Sequence, residues 1–599
     1  MAPESFDGWS KRKATKIRCF GMFLGVSEQA MEGIPPGSHR RVLPFILMLA
    51  FLHTGCGKKK SDPVAEDRST GQADEVTFSQ SSSSTECYDF VEVTMNVAKP
   101  LVRNPFTDVT VSGHFSQLDH GNDLIVNGFC DSPDGSIFRI RFMPSKPGNY
   151  TYSVTYRHGD CERVHDGTFE AVEGKSSGIL RVDPSYPWHF IWEGSGKHCF
   201  VNGTTAFFLM GWESEQVIRE SIERLRRLGV NRIRMLLDGR TDHYWGEPIH
   251  PNAKFHGYVN PWLAARPENV TDPGFDYHRF NCPYWQKVER MLQFARGEDM
   301  VVSIIFAYND TKLHPAAGSE EERLYFLYTA ARLGSYPNIT WDLGDDLDGF
   351  RSEAWTHEMG MMLYAHDPYH HLATSHPVLD NQHQDRASPW FGFTSFQRWD
   401  RPLHGWMLEQ RQRQLATGRI IPQLDEEYGY EDHYPPWAPY KSPAASADND
   451  RRAAWEMSMA GCYQTTGETA RRGTGVPPDT GGGWVNGRGD DTMIMLEGYA
   501  HMVQFFTSFE WWKAEPHDEL VNNGAFCLAE AGRVYVVYLP RGGDVSVKLD
   551  SGGYQVKWFN PRSGEYSAAQ TAENAIWTSP AAPDKEDWVL LLTKNQAAR

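Results

Sequence analysis

The chain has little of what marks a membrane-spanning, nucleotide-binding or metal-binding protein. Its N-terminal apolar run, Val42–Leu52, has 11 residues, which is too short to cross a bilayer. No predicted strand is followed by a glycine-rich phosphate loop. The 9 cysteines among 599 residues show no metal-ligand spacing, so we expect no metal and no cofactor. Acidic residues outnumber basic ones by 77 to 59, which excludes nucleic acid as a partner because phosphate binding needs a basic surface.

The first 56 residues read as an export signal. Arg40 and Arg41 precede the apolar run, and Gly55-Cys56 follows it. Gly55-Cys56 resembles a bacterial lipobox, in which the cysteine carries a lipid anchor, although His53 stands where that motif usually has Leu. Met31 would start a signal of ordinary length, and an uncleaved N-terminal anchor is the alternative. Either way we expect the protein outside the cytoplasm, extracellular or periplasmic, with a lipid anchor at Cys56.

The composition predicts a tether and a small number of disulfides. Residues 57–85 are polar and Ser-rich, which is typical of a flexible linker. Seven cysteines follow Cys56. An oxidising compartment favours one or two disulfides among Cys87, Cys130 and Cys161, and the odd number leaves at least one thiol free. The sequence does not set the oligomeric state.

The body of the chain divides into three predicted domains, a multidomain α/β plus all-β organisation. Residues 86–174 show short strands of period two separated by turns, which predicts an Ig-like β-sandwich. Residues 178–510 alternate helices with strands, which predicts a (β/α)8 TIM barrel. Residues 511–599 return to short strands and predict a second β-sandwich. A doubly wound open sheet is the alternative for the central domain.

Two predicted barrel strands end abruptly in carboxylates. Ile339–Leu343 leads into Asp345 and Asp346, and the strand predicted over Arg419–Leu424 leads into Asp425-Glu426-Glu427. Acids at the carboxyl ends of two barrel strands converge on one cavity. Two carboxylates facing each other across a cavity can break a glycosidic bond. The 20 Trp and 25 Tyr suit either sugar binding or large cores.

The period of two along a strand predicts which acids face the barrel axis. Continuing that phase puts Asp346 inside rather than Asp345, and Glu427 inside rather than Glu426. The same phase turns Arg234 inward, where its charge would hold a Glu427 nucleophile ionised. The acidic neighbours of Asp346 would raise its pKa, as a general acid needs.

These motifs resemble those of apiosidase-like glycoside hydrolases. Tyr336–Asp346 is similar to the strand-four motif of that family, in which an Asp follows Leu-Gly-x. Asp425–Glu431 is similar to the strand-seven motif, with Glu426 and Tyr428 in place of the family's Gly and Pro. The resemblance implies a carbohydrate substrate, with Asp346 as acid/base and Glu427 as nucleophile. It also implies a preceding domain of unknown function and a following domain of collagen-binding type.

Several other residues, within predicted strands, at their ends or in the loops that follow them, are candidates for sugar binding. These are Arg234, Asp345, His376, Gln397, Tyr308, Trp212, Trp399 and Trp484, with Gln464 and Trp245 as weaker candidates. Each polar side chain among them would serve equally as a satisfied structural group. For any one Trp, core packing is the more common role.

Two readings other than a retaining glycosidase remain open at this point. In the first, the protein binds glycans or matrix at the cell surface and the barrel is vestigial, since Asp345-Asp346 stands where many related barrels carry Asn-Glu. In the second, Asp342–Asp348 binds calcium in an adhesin, although the ligand spacing of an EF-hand loop is absent. The sugar and the linkage are not readable from the loops.

Overall fold

The computed structural model describes most of the chain beyond the N-terminal segment. The described residues are 74–118, 123–237, 260–269, 272–308, 313–378, 381–399, 402–431, 446–468 and 494–595, with short pieces at 243–244, 247–248, 483, 487 and 489. The export signal, Cys56, Trp245 and Trp484 lie outside these residues. Within them, no helix combines the length and the apolar character needed to cross a bilayer.

The N-terminal domain consists of two antiparallel β-sheets. One sheet contains, in spatial order, the strands Glu75–Gln80, Val91–Ala98, Ile137–Phe142 and Phe129–Cys130. The other contains Ser84–Glu86, Cys161–Val172, Gly148–His158, Val109–Gln117 and Asp123–Asn127, with the first pair parallel. Alternate residues of Val91–Ala98 are buried, as expected where one face of a sheet packs on a core and the other meets water.

Eight parallel strands form the sheet of the central domain. They are β1 (Asn202–Thr205), β2 (Arg232–Leu236), β3 (Val301–Ile305), β4 (Ile339–Asp342), β5 (Ala373–Thr374), β6 (Phe396–Gln397), β7 (Leu424–Glu427) and β8 (Tyr463–Glu468). The ladder runs β5-β4-β3-β2-β1-β8-β7-β6. The two ends approach each other through a parallel bridge between Ala373 and Phe391. The sheet is therefore curled into a TIM-like barrel.

Helices alternate with these strands along the chain. They are α1 (Glu215–Arg227), α2 (Cys282–Gly297), α3 (Glu320–Leu333), α4 (Glu353–His366), α5 (Leu403–Leu415), α6 (Ala447–Met459) and α7 (Met495–Phe506). Ser319, Ser352 and Ser446 cap the N-termini of α3, α4 and α6 by accepting backbone hydrogen bonds, which satisfies donors that the first turn leaves open. A small sheet of Leu180–Val182, Phe190–Trp192 and His198–Cys199 precedes β1, and the hairpin of Trp262–Ala264 with Phe275–Phe280 precedes α2.

The C-terminal domain is again antiparallel. Its main sheet contains Glu515–Pro516, Phe526–Glu530, Val534–Leu539, Trp588–Lys594, Tyr554–Phe559 and Gln570–Ala572, and a second pair joins Ser546–Lys548 to Ile576–Thr578. The multidomain fold class expected from the sequence, a barrel flanked by all-β regions, is confirmed.

Three local expectations differ from the structure. The tether predicted over 57–85 is wrong in its second part, because Glu75–Gln80 pairs with Val91–Ala98 and alternates between exposed and half-buried positions. The strand predicted over Arg419–Leu424 begins only at Leu424. All seven described cysteines are free thiols, so the expected disulfides are wrong. Six of these thiols are buried, where a free Cys packs as a small apolar side chain.

A network of buried charges joins the N-terminal sandwich to the barrel helices. Glu289 of α2 accepts hydrogen bonds from Arg141 of the sandwich at 2.6 Å and from Arg332 of α3 at 2.8 Å. Arg332 also donates to Asp131 of the sandwich at 2.6 Å. Burial raises the pKa of the Glu289 carboxyl, but the two guanidinium groups lower it by more than burial raises it, so that the net shift is downward. The carboxylate therefore stays ionised between its partners.

Asp367 connects the end of α4 to strands β4 and β5. Its carboxylate accepts hydrogen bonds from Trp341 Nε1 at 2.9 Å and from the backbone N–H of His371 at 2.8 Å. His371 Nδ1 lies 2.9 Å from the same oxygen. Burial raises the pKa of Asp367, but the charge of His371 and these hydrogen bonds outweigh it and lower the pKa to about 2.

The Asp367→Asn variant is expected to lose stability in a pH-dependent way. A folded pKa below the unfolded value stabilises the protein above the unfolded pKa, and this stabilisation disappears as the pH falls through the folded pKa. We expect a loss of about 2 kcal/mol at pH 7. The difference in unfolding free energy between wild type and the variant should shrink as the pH falls from about 4 to about 2. Urea unfolding at a series of pH values measures it.

The Glu358→Gln variant is the matched control, because it makes the same carboxyl-to-amide change on the exposed face of α4. The side chain of Glu358 is 56% exposed, and such substitutions stay within about 0.5 kcal/mol. A gap between wild type and Asp367→Asn that is the same at every pH would contradict the assigned role of the charge.

Candidate active site

Strand β7 delivers Glu427 to the carboxyl end of the barrel. Glu427 is the last residue of β7 and only 8% of it is exposed. Its register partner on β6 is Gln397. Burial has the largest effect on the pKa of Glu427 and raises it, while Tyr430 and Gln397 beside the carboxylate act in the opposite direction. The sequence-predicted residues Glu427 and Gln397 are therefore together, and Tyr430 is a contact that sequence reasoning missed.

The predicted alternation fails along β7 because the ladder is irregular there. Phe396 pairs with Asp425 and Gln397 pairs with Glu427, so that Glu426 is an extra residue on β7. Such a bulge shifts the side-chain phase of one strand relative to its neighbour. Glu426 consequently points into the interior as well, where it forms an ion pair with Arg232 and accepts a hydrogen bond from Ser395 at 2.5 Å.

Asp345 occupies the interior at the end of β4. It is 2% exposed, and its Oδ1 accepts a hydrogen bond from Arg234 Nη2 at 2.8 Å. The strand itself ends at Asp342, so the period-two rule does not extend to Asp345. The prediction that Asp345 points outward is therefore wrong. Asp345 nevertheless lies at the candidate site, for which it was named as a sugar-binding residue.

Asp346 follows in an uncommon backbone conformation. Its φ of 55° and ψ of 38° lie in the left-handed region, which non-glycine residues rarely adopt and which clusters at functional sites. The residue is half-buried, unlike Asp345. It begins the short 3-10 turn Leu347–Gly349. The structure thus places two adjacent carboxyl groups at different depths.

His376 links the ends of β4 and β7. It lies just after β5 and is fully buried. Its Nε2 is 3.7 Å from Asp345 Oδ1 and 3.6 Å from Glu427 Oε2. One ligand-type atom from each of these three residues lies within 4.8 Å of the others. Burial and the charge of Arg234 hold the pKa of His376 well below its usual range, so the imidazole is neutral.

The interior of the barrel contains more carboxyl groups than guanidinium groups. Asp342, Asp345, Glu426 and Glu427 surround Arg232 and Arg234. Burial raises the pKa of Asp342 to about 7, although Arg234 opposes the shift. Burial and the nearby charge of Asp345 raise the pKa of Glu427 to about 8. Burial also raises the pKa of Glu426, but Arg232 and Arg234 bring it below its ordinary value.

Arg234 is inward, as predicted, but its ion pairs differ from the expected one. Its guanidinium group lies 3.2 Å from Asp342, 2.8 Å from Asp345 and 3.5 Å from Glu426. Arg234 lowers the pKa of Glu427 in the expected direction, but burial and the charge of Asp345 outweigh it, so that the net shift is upward.

The aromatic candidates divide into neighbours of the site and core residues. Tyr308 forms a parallel bridge with Asp345 and stacks near Phe207 at 5.8 Å. Trp399 contacts Tyr430 edge-on at 5.7 Å, and Tyr430 in turn lies beside Glu427. Trp212 is 3% exposed and so packs in the core. Gln464 bonds Asn202 and Tyr428, as a structural group does. Trp484 and Trp245 lie outside the described residues.

Comparison with known proteins assigns each domain. Residues 191–468 match the family model "Apiosidase-like, catalytic domain", residues 84–157 match "Domain of unknown function (DUF5060)", and residues 517–593 match "Putative collagen-binding domain of a collagenase". No curated protein sequence matches the chain.

Solved structures support the fold. The chain is similar to "a putative glycoside hydrolase from Bacteroides vulgatus ATCC 8482", with 19% identity over 86% of this chain and 100% of that one and a TM-score of 0.70. It is also similar to "a glycoside hydrolase family 5" protein from the same organism, with 15% identity over 70% and 94% and a TM-score of 0.54. The chain thus carries an apiosidase-like catalytic domain on a glycoside hydrolase fold, between a DUF5060 domain and a domain of collagen-binding type.

Proposed function

We propose that the protein is a retaining glycoside hydrolase. The observation that carries the proposal is the approach of strands β4 and β7 at their carboxyl ends. Glu427 and Asp345 present carboxylate oxygens within 4.8 Å of each other, and Asp346 is the next residue along the chain. The strand ends that carry the proposed catalytic carboxyl groups therefore meet over one site. Retention, which needs those two groups about 5–5.5 Å apart rather than about 6.5–9.5 Å, is part of the proposal.

In this mechanism Glu427 attacks the anomeric carbon while Asp346 protonates the leaving oxygen. The glycosidic C–O bond breaks as a glycosyl ester to Glu427 forms. Water then attacks the same carbon with Asp346 as the base, which releases the sugar and restores Glu427. The half-buried, left-handed Asp346 supports the acid/base role, since it lies less deeply than Asp345.

The substrate class that we propose is a plant-type or complex polysaccharide or oligosaccharide. The support is the likeness of residues 191–468 to apiosidase-like catalytic domains. A screen of plant cell-wall and rhamnogalacturonan-type oligosaccharides should detect released reducing ends. NMR of the first product anomer should show the configuration of the substrate. An inverted first product would contradict retention and leave hydrolysis intact.

A non-catalytic glycan-binding protein is the second candidate. The observation that favours it is Asp345-Asp346, where related barrels carry Asn-Glu. The test covers a pH range of about 5 to about 9, which includes the raised pKa values of Asp342 and Glu427. Binding of an oligosaccharide without release of reducing ends at every pH in this range would favour this candidate over the enzyme.

We also propose that the protein is exported and lipid-anchored through Cys56, on the strength of the Gly55-Cys56 motif. A labelled fatty acid should be incorporated into the wild-type chain and not into a Cys56→Ser variant. Equal labelling of both chains would contradict the anchor.

A further inference from the structure

His376 presents its ring nitrogen Nε2 to two carboxylates. The Ser395 hydroxyl has a single proton, and its Oγ lies 2.5 Å from Glu426 Oε2. An ionised carboxylate only accepts, so Ser395 donates to Glu426. His376 Nδ1, which lies 2.8 Å from the same Oγ, must then be the N–H that donates to Ser395. Nε2 then points toward the two carboxylates, and among the residues that the structure describes it has no hydrogen-bond partner.

We infer that His376, Asp345 and Glu427 form a binding site for a divalent first-row transition metal ion, of which Zn²⁺ fits best. A neutral imidazole nitrogen and carboxylate oxygens are ligands that Zn²⁺ takes in proteins. The three residues follow or end three different strands, β5, β4 and β7, so no sequence spacing reveals them.

The surroundings have two features of a metal site. The first is an outer support for the imidazole, because Nδ1 of a metal-bound His normally donates to a second group that fixes the ring. Here Ser395 is that group, and Glu426 with Arg232 fixes Ser395 in turn. The second is charge. Four carboxyl groups surround two guanidinium groups, so a bound dication would balance the two extra carboxylates when all four are ionised.

The donor separations are close to those that a metal requires. Ligand bonds of about 2.0–2.2 Å allow donor atoms to be at most about 4.3 Å apart. The imidazole nitrogen is already 3.6 Å and 3.7 Å from its two partners, and the full set spans no more than 4.8 Å. A carboxylate shift of under about 1 Å would therefore close the site.

Occupation of this site would block the proposed hydrolysis, because the metal would hold the lone pair with which Glu427 attacks. Zn²⁺ should thus inhibit reversibly and compete with substrate. Metal binding itself does not depend on the proposed function, whereas the inhibition rests on it.

Titration of the full chain with Co²⁺ tests the binding without any assay of activity. The wild-type protein should bind one equivalent that gives visible d–d absorption and is displaced by Zn²⁺. His376→Gln and Glu427→Gln should each lose this equivalent. His357→Gln is the matched control, because His357 lies on α4 with its side chain 60% exposed, and it should keep the equivalent.

Thermal unfolding and circular dichroism identify variants that fold, and Glu427→Gln supplies a conservative second test should His376→Gln not fold. The same stoichiometry and spectrum in wild type and in folded Glu427→Gln would overturn the site, as would a wild-type chain that shows no displaceable Co²⁺. If the wild-type protein binds no metal at this site but its turnover still depends on Glu427, the proposed function stands. Metal bound at Glu427 without inhibition would instead overturn the nucleophile assignment.

Discussion

Replacing Glu427 with alanine is expected to lower turnover by about 10⁴–10⁶-fold, the scale seen when a covalent nucleophile is removed. Glu427 ends β7 at the site and faces Asp345 and His376. No other carboxylate among the described residues occupies the same position and could act as the nucleophile instead. Turnover of the oligosaccharide found in the screen measures the loss. Glu358→Ala, which removes an exposed carboxylate on α4, should keep wild-type turnover.

Azide gives this prediction a second readout. In Glu427→Ala a small anion can enter the vacated volume and attack the anomeric carbon directly. A C–N bond forms as the bond to the leaving oxygen breaks, and Asp346 supplies the proton to that oxygen. The product should be a glycosyl azide of inverted configuration, because a single displacement replaces two. Unchanged turnover by a folded Glu427→Ala chain would rule out the nucleophile.

The raised pKa of Glu427 adds an expectation for wild type. A carboxyl nucleophile reacts only when it has lost its proton. With a pKa of about 8 in the free protein, kcat/KM should rise as the pH increases toward about 8, because kcat/KM reports groups of the free enzyme. A rate that falls over this interval would show that loss of the proton from the general acid, and not deprotonation of Glu427, controls kcat/KM.

The second large effect concerns the two adjacent carboxyl groups just after β4, those of Asp345 and Asp346. Asp346→Asn should slow the hydrolysis of natural glycosides by about 10²–10⁴-fold, the usual contribution of a general acid. Formation of the intermediate from a dinitrophenyl glycoside should be nearly unaffected, because that leaving group departs without a proton. Asn also tolerates the left-handed backbone found at position 346, so the fold should be preserved.

Asp345→Asn is the matched comparison one residue away. It weakens the ion pair with Arg234 and should therefore slow both kinds of substrate to a similar degree. The ratio of rates for the two leaving groups, measured in both variants, separates the roles. A leaving-group dependence that appears in Asp345→Asn and is missing in Asp346→Asn would transfer the acid role to Asp345.

Much of the fold was predictable because helix periodicity and caps are local signals. Helices Glu320–Leu333 and Glu353–His366 lie within residues 178–510, where the sequence predicted helices alternating with strands. The edge strand Glu75–Gln80 was missed because the Ser-rich stretch that follows it resembles a linker, while its pairing with Val91–Ala98 is a long-range contact. The free cysteines show that a count of thiols does not fix their distances.

The site was predictable up to the ends of the regular strands. Glu427, Gln397, His376 and Arg234 lie at or beside the site, as their positions at strand ends predicted. Glu426 and Asp345 were misplaced because an extra residue on β7 and the early end of β4 break the alternation. No local pattern records such irregularities. The catalytic roles of Asp346 and Glu427 stay predictions.

The charges shared by Glu289, Arg141 and Arg332 bear on how this architecture can be rearranged in evolution. Glu289 of α2 and Arg332 of α3 pair with each other and also with Arg141 and Asp131 of the preceding domain. A recombination event that moved the barrel without its N-terminal companion would remove two of these three ion pairs and expose to water the helix surface that the sandwich covers. The two domains are therefore expected to be inherited together, and the C-terminal domain is joined to the barrel in a similar way, because Arg451 of α6 pairs with the buried Asp587 at 2.7 Å.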